Sequence, residues 1–531
     1  MRSIAPVVIL LALFAPSPPL AQETSPASVS LHSAALQGNT EAVRQHIEAG
    51  ADLDEKDAFG SSPLNIAATF GKTEVAEALI EAGADLAIAD NQGSRPLHIA
   101  AFFGYSDIVK ALVDNGANRF LRNMNGSTAL DIVATPFDDD RPLYDQLVAA
   151  LGPLGLVLDY DEIASSRPKI LEMLRPAIEE LEAVEYSPVE RGDWAVANPA
   201  ETSLDPMLVA ELYFDAAELK NLYGLLVVKD GKLIAEAYYH DGAVEQLSAR
   251  HSITKSYLSA LIGIAKAEGC LSDLDQRMMD FFPEFADQID DPRKAGITVR
   301  QMLQMRGGYP MEILSPVHHD TLFFSDNWHW LPHLVDFPLL SDPGTKFHYS
   351  NLTSHLLAVI LARACDADLK TYAAQHLFAP MDAALDDWTA DPDGYRWGWG
   401  EIYVTARDMA KFGTLYLNDG TYQGRQVISA DWVDESLQAY SHDAWATPKL
   451  GRYLYDVGYG YQWWSARAGQ HHFYFAWGHG GQLIVLLEEL DMVIVTTADP
   501  LIGLDPIRDK GWEYELAIIN VVGKFIKSLP R

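Results

Sequence analysis

A 33-residue period governs the N-terminal part of the chain and limits what it can fold into. In "GADLDEKDAFGSSPLNIAATFGKTEVAEALIEAGADLAIADNQGSRPLHIAAFFGYSDIVKALVDNGAN", Gly50, Gly83 and Gly116 fall in register, as do Gly38, Gly71 and Gly104. Pro63-Leu64 matches Pro96-Leu97, and Ala129-Leu130 falls one period later. A repeat of this length is one supersecondary unit that cannot bury its apolar face alone, so neighbouring units must stack. The recurring glycines mark tight turns, where a positive φ is cheap only without a Cβ. Each unit is therefore expected to be a turn followed by two short antiparallel helices. "SLHSAALQGNTEAVRQHIEAG" and "GSTALDIVA" read as the ends of the stack, giving about four units between residues 28 and 136.

The period and the "RPLHIAA" signature (Arg95 to Ala101) resemble ankyrin repeats. That resemblance implies an all-α solenoid whose role is to bind a protein partner rather than to do chemistry. It also makes His98 a structural turn residue, not a ligand.

A chain of 531 residues exceeds one typical core, so further domains are expected. "TPFDDDRPLYDQLVAALGPLGLVLDYDEIASSRP" clusters Pro, Gly and acidic residues and reads as a connector, assigned to 137–193. Within it "PKILEMLRPAIEELEAVE" has helical spacing, with Pro176 as a kink or break. From about Trp194 to Arg531 the chain changes character. "LYGLLVVKDGKLIAEAYY" reads as a hairpin about a "KDGK" turn, and "KSYLSALIGIAKAEG" as a buried helix ended by Gly269. "QLIVLLEELDMVIVTTAD" is a second strand pair, and "GWEYELAIINVVGKFIKSLP" a closing amphipathic helix. Strands at both ends with helices between predict one antiparallel sheet flanked by helices.

The net charge of −35, from 74 acidic and 39 basic residues, argues against nucleic acid or an anionic membrane surface as partner. The start of the chain, residues 1–21, has Arg2, a short apolar run from Ile4 to Phe14, and Ala21 as a small residue for cleavage. It reads as a secretory signal, with an uncleaved anchor as the competing reading, and the mature protein is expected to be periplasmic or secreted, with no membrane span. The two cysteines, Cys270 and Cys365, give no disulfide framework. An oxidising compartment would allow them to pair, but two buried free thiols are the simpler expectation. No cofactor and no metal are expected.

Ser252 and Lys255 in "ARHSITKSYLSA" stand three apart, ahead of an apolar helix, so both side chains can face one cleft. A serine hydroxyl becomes a nucleophile when a base takes its proton, and a lysine serves where burial or neighbouring positive charge favours its neutral form. The competing reading is a capping serine with an exposed lysine. Ser166 and Lys169 match the same spacing but fall in the connector, with Lys169 directly after Pro168 at an expected helix start, and are set aside. Two further segments favour chemistry at Ser252. Tyr349-Ser350-Asn351 precedes an apolar helix, and His479-Gly480-Gly481 leads into a terminal strand. A tyrosine beside a lysine can relay its proton, and an Asn amide can bind a substrate carbonyl or orient the lysine. Glycines leading into an edge strand allow backbone N–H groups to complete an oxyanion hole.

In this order and spacing, residues 194–531 resemble the β-lactamase-related serine hydrolases: class C β-lactamases, DD-peptidases, esterases and 6-aminohexanoate-dimer hydrolases. "LLVVKDGKLIAEAYY", "SITKSYLSALIGIA", "PGTKFHYSNLTSHLL", "GWGEIYVTARDMAKFGTLYL" and "GHGGQLIVLLEELDMVIV" resemble the last subgroup most closely. The resemblance implies an α/β (α+β) fold with an antiparallel sheet and a helical lobe. It makes Ser252 the acylated nucleophile, Lys255 the base, Tyr349 the proton relay and Asn351 the second-motif amide. The N–H of Ser252, with one from His479 to Gly481, would form the oxyanion hole. Penicillin-recognising members carry a Lys-Thr-Gly strand where this chain has "WGHGG", which favours linear amides or esters over β-lactams.

The function expected is a secreted or periplasmic serine hydrolase acting on a small-molecule or peptide-like amide or ester. The competing readings are a peptidoglycan DD-peptidase or β-lactamase-like enzyme, and a non-catalytic binding protein built on the repeats. Weaker candidates are "VHHDT" (Val317 to Thr321) as a metal loop and "SDNWHWLPH" (Ser325 to His333) as cleft lining or aromatic core. His348 is read as either a neighbour of the site or a satisfied structural histidine, and Thr405 with Asp408 as a helix cap.

Overall fold

Repeating helix pairs build the first of two units in this computed structural model, which describes residues 29–311, 329–502 except 443, 446 and 448, and 511–531. The segment read as a secretory signal lies outside the described residues. The first unit ends at Glu180, and the second runs from Leu181 to Arg531.

In the first unit, Leu31–Gln37, Pro63–Thr69, Pro96–Phe102 and Ala129–Val133 are the leading helices of successive repeats. Thr40–Glu48, Thr73–Glu81 and Ser106–Asp114 are the returning ones. Pro63 and Pro96 occupy first helical positions, where the missing N–H costs nothing. The doublets Ala34-Ala35, Ala67-Ala68 and Ala100-Ala101 are wholly buried, and their small size lets neighbouring helices approach closely.

Both expected glycine registers have left-handed φ. A third register, Gly60, Gly93 and Gly126, does so as well, at φ 75°, 74° and 66°. It marks the turn tips, which pair from repeat to repeat through Asn91 N–H to Phe59 O (2.9 Å) and Met124 N–H to Gln92 O (3.2 Å). A Cβ on Gly93 would lie 2.8 Å from the Met124 nitrogen, so this ladder needs glycine for space as well as for φ.

The segment read as a connector folds onto the repeats as two helices, Phe137–Leu151 and Tyr160–Leu174. Ile170 and Leu174 join the apolar core of the repeats. Buried Arg167 donates to Asp140 Oδ2 (2.8 Å), to the Tyr144 hydroxyl (3.0 Å) and to the carbonyl of Thr135, pinning both helices to the last repeat. The second helix starts at its Asp159 cap rather than at Pro168, which lies inside it. Ser166 therefore sits mid-helix and donates to the Ile163 carbonyl (3.0 Å), while Lys169 is 60% exposed. That serine–lysine pair shares no pocket. The helix ends at Leu174, ahead of Pro176.

The second unit is organised by an eight-stranded antiparallel sheet. Its strands are β1 (Leu222–Lys229), β2 (Lys232–Tyr238), β3 (Lys449–Leu450), β4 (Leu454–Tyr459), β5 (Trp464–Ala468), β6 (His471–Gly478), β7 (Gln482–Leu487) and β8 (Met492–Ala498). Their order is β2-β1-β8-β7-β6-β5-β4-β3, so the hairpin at the start of the unit pairs with the last strand. The "KDGK" turn is a two-residue loop with Lys229 opposite Lys232 and left-handed Asp230 and Gly231, as a right-twisted hairpin requires.

Strand periodicity divides the core. On β7 and β8, Leu483, Val485, Leu487, Met492 and Ile494 face one apolar layer, which contains α1 (Pro206–Ala217) and α5 (Gly511–Ser528). Ile484, Leu486, Val493 and Val495 face the other, formed by α2 (Thr254–Glu268), α3 (Asn351–Cys365) and α4 (Ala406–Leu417). Central strands covered on both faces explain why these segments read as continuous apolar runs. No helix among the described residues is long and apolar enough to cross a membrane.

His98 has the structural place expected of it. It is buried, its Nδ1 accepts from the Arg95 N–H (3.3 Å), and its Nε2 donates to the Ser127 carbonyl (3.1 Å). That arrangement requires the neutral ring. Burial, with Arg95 nearby, holds the imidazole down to about 4. As pH falls below the ordinary histidine value, the unfolded chain takes up the proton before the folded one. The first unit should therefore lose up to about 3 kcal/mol between roughly pH 6.5 and 4. Urea unfolding of wild type and His98→Gln across that window checks this, with a flatter stability profile expected for the variant.

Candidate functional site

Arg250 positions the turn that carries Ser252. Its wholly buried guanidinium donates to the Val404 carbonyl through Nε (3.0 Å) and Nη2 (2.8 Å), and through Nη1 to Ser248 Oγ (2.6 Å) and Gln482 Oε1 (3.2 Å). Burial lowers the Arg250 guanidinium to about 10. The chain then forms a single 3-10 turn, His251–Ile253, and runs directly into α2. His251 has a left-handed φ of 46°, unusual for a residue with a Cβ.

Every residue of α2 from Thr254 to Ala265 is buried, and Lys255 in its first turn is 1% exposed. Its ammonium donates to Ser252 Oγ (2.9 Å), Asn351 Oδ1 (2.8 Å) and the Trp399 carbonyl (3.0 Å). These acceptors come from three separate segments. The reading of a capping serine with an exposed lysine is excluded on both counts, because the side chain of Ser252 does not cap α2 and Lys255 is interior.

Asn351 is the first residue of α3, set there by Ser350, whose side chain caps the helix by accepting from Thr353 N–H (3.2 Å). The Tyr349 ring lies 4.8 Å from the Lys255 ammonium. It stacks on Trp464 (5.5 Å) and meets Tyr459 edge-on (6.1 Å), so β4 and β5 hold its orientation. Ser252, Lys255, Tyr349 and Asn351 thus form one cluster.

The third motif differs from expectation. His479–Gly481 forms the turn between β6 and β7, and both are inner strands of the sheet rather than an edge. Gly480 N–H donates to Glu515 Oε2 (2.9 Å), and Gly481 N–H to the Gly478 carbonyl (3.2 Å). Neither is directed to an oxyanion. The end of β6 abuts the Ser252 turn: a Cβ on Gly478 would lie 2.4 Å from the Arg250 carbonyl oxygen. The His479 and His251 rings meet edge-on at 5.9 Å.

Glu515 on α5 fixes this turn. Its buried carboxylate accepts from Trp477 Nε1 (2.6 Å) and Gly480 N–H, and lies 3.1 Å from His479 Nδ1. On the opposite side, His251 Nδ1 lies 3.3 Å from Glu401, itself left-handed at φ 65°. Burial, with His479, Lys255 and Arg250 nearby, drives His251 down to about 3, so it is neutral at physiological pH. Burial pushes the Glu401 carboxyl upward.

The remaining candidates separate from the site. His348 is held by Ser341 Oγ (3.1 Å), and Thr405 caps α4 with Asp408. From the 325–333 stretch, Trp330 is fully buried against His355 and Trp399. Residues 317–321 and 325–328 lie outside the described residues. Sequence reasoning did not find Trp399, Arg250, Gly478, Glu401 or Glu515. A carbonyl such as that of Trp399 leaves no side-chain signature. Glu515 did leave one: a charge on the helical face shared by Ile518, Ile519 and Val522.

Comparison with known proteins places these residues in context. The beta-lactamase family model matches residues 222–501, and a model of three ankyrin repeats matches 31–133. The chain is 27% identical over 256 residues to a 6-aminohexanoate-dimer hydrolase of Paenarthrobacter ureafaciens, covering 45% of this chain and 63% of that protein. It is 24% identical over 217 residues to beta-lactamase-like protein 2 of Dictyostelium discoideum, covering 36% and 38%. The chain thus spans less than two thirds of each relative's length. An octameric penicillin-binding protein homologue from Pyrococcus abyssi aligns at TM-score 0.44 with 18% identity, over 61% of this chain and 77% of that one.

Glu515→Gln tests the anchoring of the turn. An amide keeps one acceptor oxygen but presents an NH2 group to the second cluster of donors, leaving a buried N–H unsatisfied. The expected loss is about 1–3 kcal/mol in denaturant unfolding.

Proposed function

The chain belongs to the beta-lactamase family, and from that membership we propose that it is a serine hydrolase cleaving an amide or ester through an acyl-enzyme on Ser252. The observation that carries the reading is the buried Lys255 ammonium, 2.9 Å from Ser252 Oγ and fixed by Asn351 and Trp399.

In the proposed reaction, the neutral Lys255 amine takes the Ser252 proton as Oγ attacks the substrate carbonyl. The oxyanion is received by the Ser252 N–H together with backbone at the His479 turn. Tyr349 and Lys255 return the proton to the leaving group. Water then attacks the ester, releasing the acid and restoring Ser252.

Two features favour linear amides or esters over β-lactams. His479 is the nearest side chain to the place where penicillin-recognising members carry a lysine, and its Nδ1 is paired with Glu515 (3.1 Å), so it is poorly placed to hold a substrate carboxylate. The 6-aminohexanoate-dimer hydrolase relative supports the same direction. The ankyrin repeats are assigned to a protein partner, and the apolar run Ile4 to Phe14 supports export to the periplasm or outside the cell.

Intact-mass labelling with a fluorophosphonate tests the nucleophile. One adduct is expected on wild type and none on Ser252→Ala; no adduct on wild type, or an equal one on the variant, would falsify the assignment. Lys255→Met is expected to slow labelling by about 10³-fold and Tyr349→Phe by about 10²-fold, the range of general acid–base contributions. The folded state of each variant is checked by thermal unfolding.

The two units should also divide their roles. Because the two helices after the repeats pack within the first unit, Ile170 and Leu174 in the repeat core and Tyr144, Leu147 and Leu151 against Phe103, the proper cut is at residue 180 rather than 136. Removing residues 29–180 should leave hydrolysis of a small nitrophenyl ester largely intact. A collapse of turnover in a protein that still melts cooperatively would show that the repeats contribute to the site.

A further inference from the structure

Helix α3 supplies Asn351 to the site, and one turn further along it stands His355, which the proposed reaction does not use. The ring is wholly buried, and its Nε2 donates to Asp391 Oδ2 (3.0 Å), a carboxylate equally hidden from solvent. His355 Nδ1 is buried with no hydrogen-bond partner among the described residues. A leucine of similar size would fill the same space without stranding a nitrogen, so packing alone does not account for a histidine here. What the ring contributes is its bond to Asp391.

Asp391 belongs to a hairpin that ends at the site. Its Oδ1 accepts from Tyr395 N–H (2.8 Å), and its own N–H donates to the Tyr395 carbonyl (2.8 Å), closing a turn in which Gly394 is left-handed. The two arms then run back together. Trp397 N–H binds the Thr389 carbonyl (2.9 Å), and Thr389 N–H binds the Glu401 carbonyl (3.1 Å), so Trp399 lies between the two residues that pair with Thr389. The hairpin rests on α3 at a second point, since a Cβ on Gly398 would lie 2.1 Å from the Ser354 carbonyl oxygen. Trp330 fills the space between, its ring centre 5.4 Å from those of both His355 and Trp399.

We propose that His355 and Asp391 are positioning residues that hold the Trp399 carbonyl against Lys255, an inference that rests on the serine hydrolase reading above. A neutral amine has two N–H donors and one lone pair. Asn351 Oδ1 and the Trp399 carbonyl oxygen, 2.8 and 3.0 Å from Lys255 Nζ, can only accept, whereas the Ser252 hydroxyl, 2.9 Å away, can also donate. With the two acceptors taking the two hydrogens, the lone pair faces Ser252 Oγ, which is the arrangement that proton abstraction needs.

Helix α3 therefore aims the base twice. Asn351 acts on Lys255 directly, and His355 acts through Asp391 and its hairpin on the Trp399 carbonyl. Neither His355 nor Asp391 contacts Ser252 or Lys255, so their loss should leave substrate binding unchanged and slow the proton transfer that accompanies acylation.

The test is the concentration dependence of fluorophosphonate labelling of the full chain, run well below the melting midpoint of each variant. His355→Leu removes the donor, and His355→Gln keeps one at nearly the same reach. Asp391→Asn sets an amide NH2 against the ring and decides the matter should His355→Leu not fold. For His355→Leu and Asp391→Asn the maximal labelling rate is expected to fall about 10- to 100-fold, the cost of a misplaced reacting group, with the half-saturating concentration unchanged. His355→Gln should recover most of the rate. A wild-type maximal rate in folded His355→Leu or Asp391→Asn, a loss confined to the half-saturating concentration, or a His355→Gln rate as low as that of His355→Leu would each overturn the proposal. A wild type that takes no label would instead overturn the serine hydrolase reading, and this proposal with it.

Discussion

The site depends on one buried ammonium. Lys255 is held by oxygens from its own helix turn, from the start of α3 and from the Trp399 carbonyl. A lysine in the interior is costly unless its hydrogens are met, and meeting them requires all three segments to be in place together. The helical lobe, the 399–404 segment and the Ser252 turn are therefore mutually fixed. Arg250 reinforces this from behind, since its guanidinium spans Val404 and Gln482 and joins the same turn to β7.

The second constraint is the turn at His479. Glu515 gathers Trp477, His479 and Gly480 at one carboxylate, so the far side of this turn is anchored by charge and hydrogen bonds rather than by strand pairing. The near side is anchored by the approach of Gly478 to the Arg250 carbonyl. Backbone N–H groups can serve an oxyanion only if they do not shift as charge develops, and both anchors resist that shift. The same pairing withdraws the His479 side chain from general anion binding, so the departure from a Lys-Thr-Gly pattern changes electrostatics as well as shape.

Much of this was legible in the sequence because it rested on patterns with a physical period. The 33-residue repeat predicted the helix pairs, and the continuous apolar runs around "EELD" predicted strands that are buried on both faces. Ser252, Lys255, Tyr349 and Asn351 were recognisable because each lies directly at the start of an apolar helix. Ser166 and Lys169 show the limit of such spacing. The same pattern in an amphipathic helix gives a hydroxyl bonded to its own backbone and an exposed lysine. What the sequence did not reveal were contacts made by backbone atoms or across distant segments: the Trp399 carbonyl, the guanidinium of Arg250 and the carboxylate of Glu515. The strand that follows Gly480 and Gly481 was read as an edge and is an inner one, for a related reason. Glycine signals a turn as readily as an open strand edge, and the choice depends on partners far away in the chain.

Two left-handed residues with side chains also flank this place. His251 and Glu401 are both left-handed, at φ 46° and 65°, and they contact each other 3.3 Å apart beside the Ser252 turn. Each such residue costs on the order of 1–3 kcal/mol and persists only when its surroundings over-determine it. Here they do: Arg250 N–H binds the Ile402 carbonyl (3.0 Å), and Ile402 N–H reaches Thr254 Oγ1 (3.3 Å), bracketing the turn from both ends. The bend leads from the short pairing of Ser248-Ala249 with Tyr403-Val404 into α2 within a single 3-10 turn. The left-handed backbone at His251 and Glu401 thus persists where the Ile402 and Thr254 contacts hold the Ser252 turn in place.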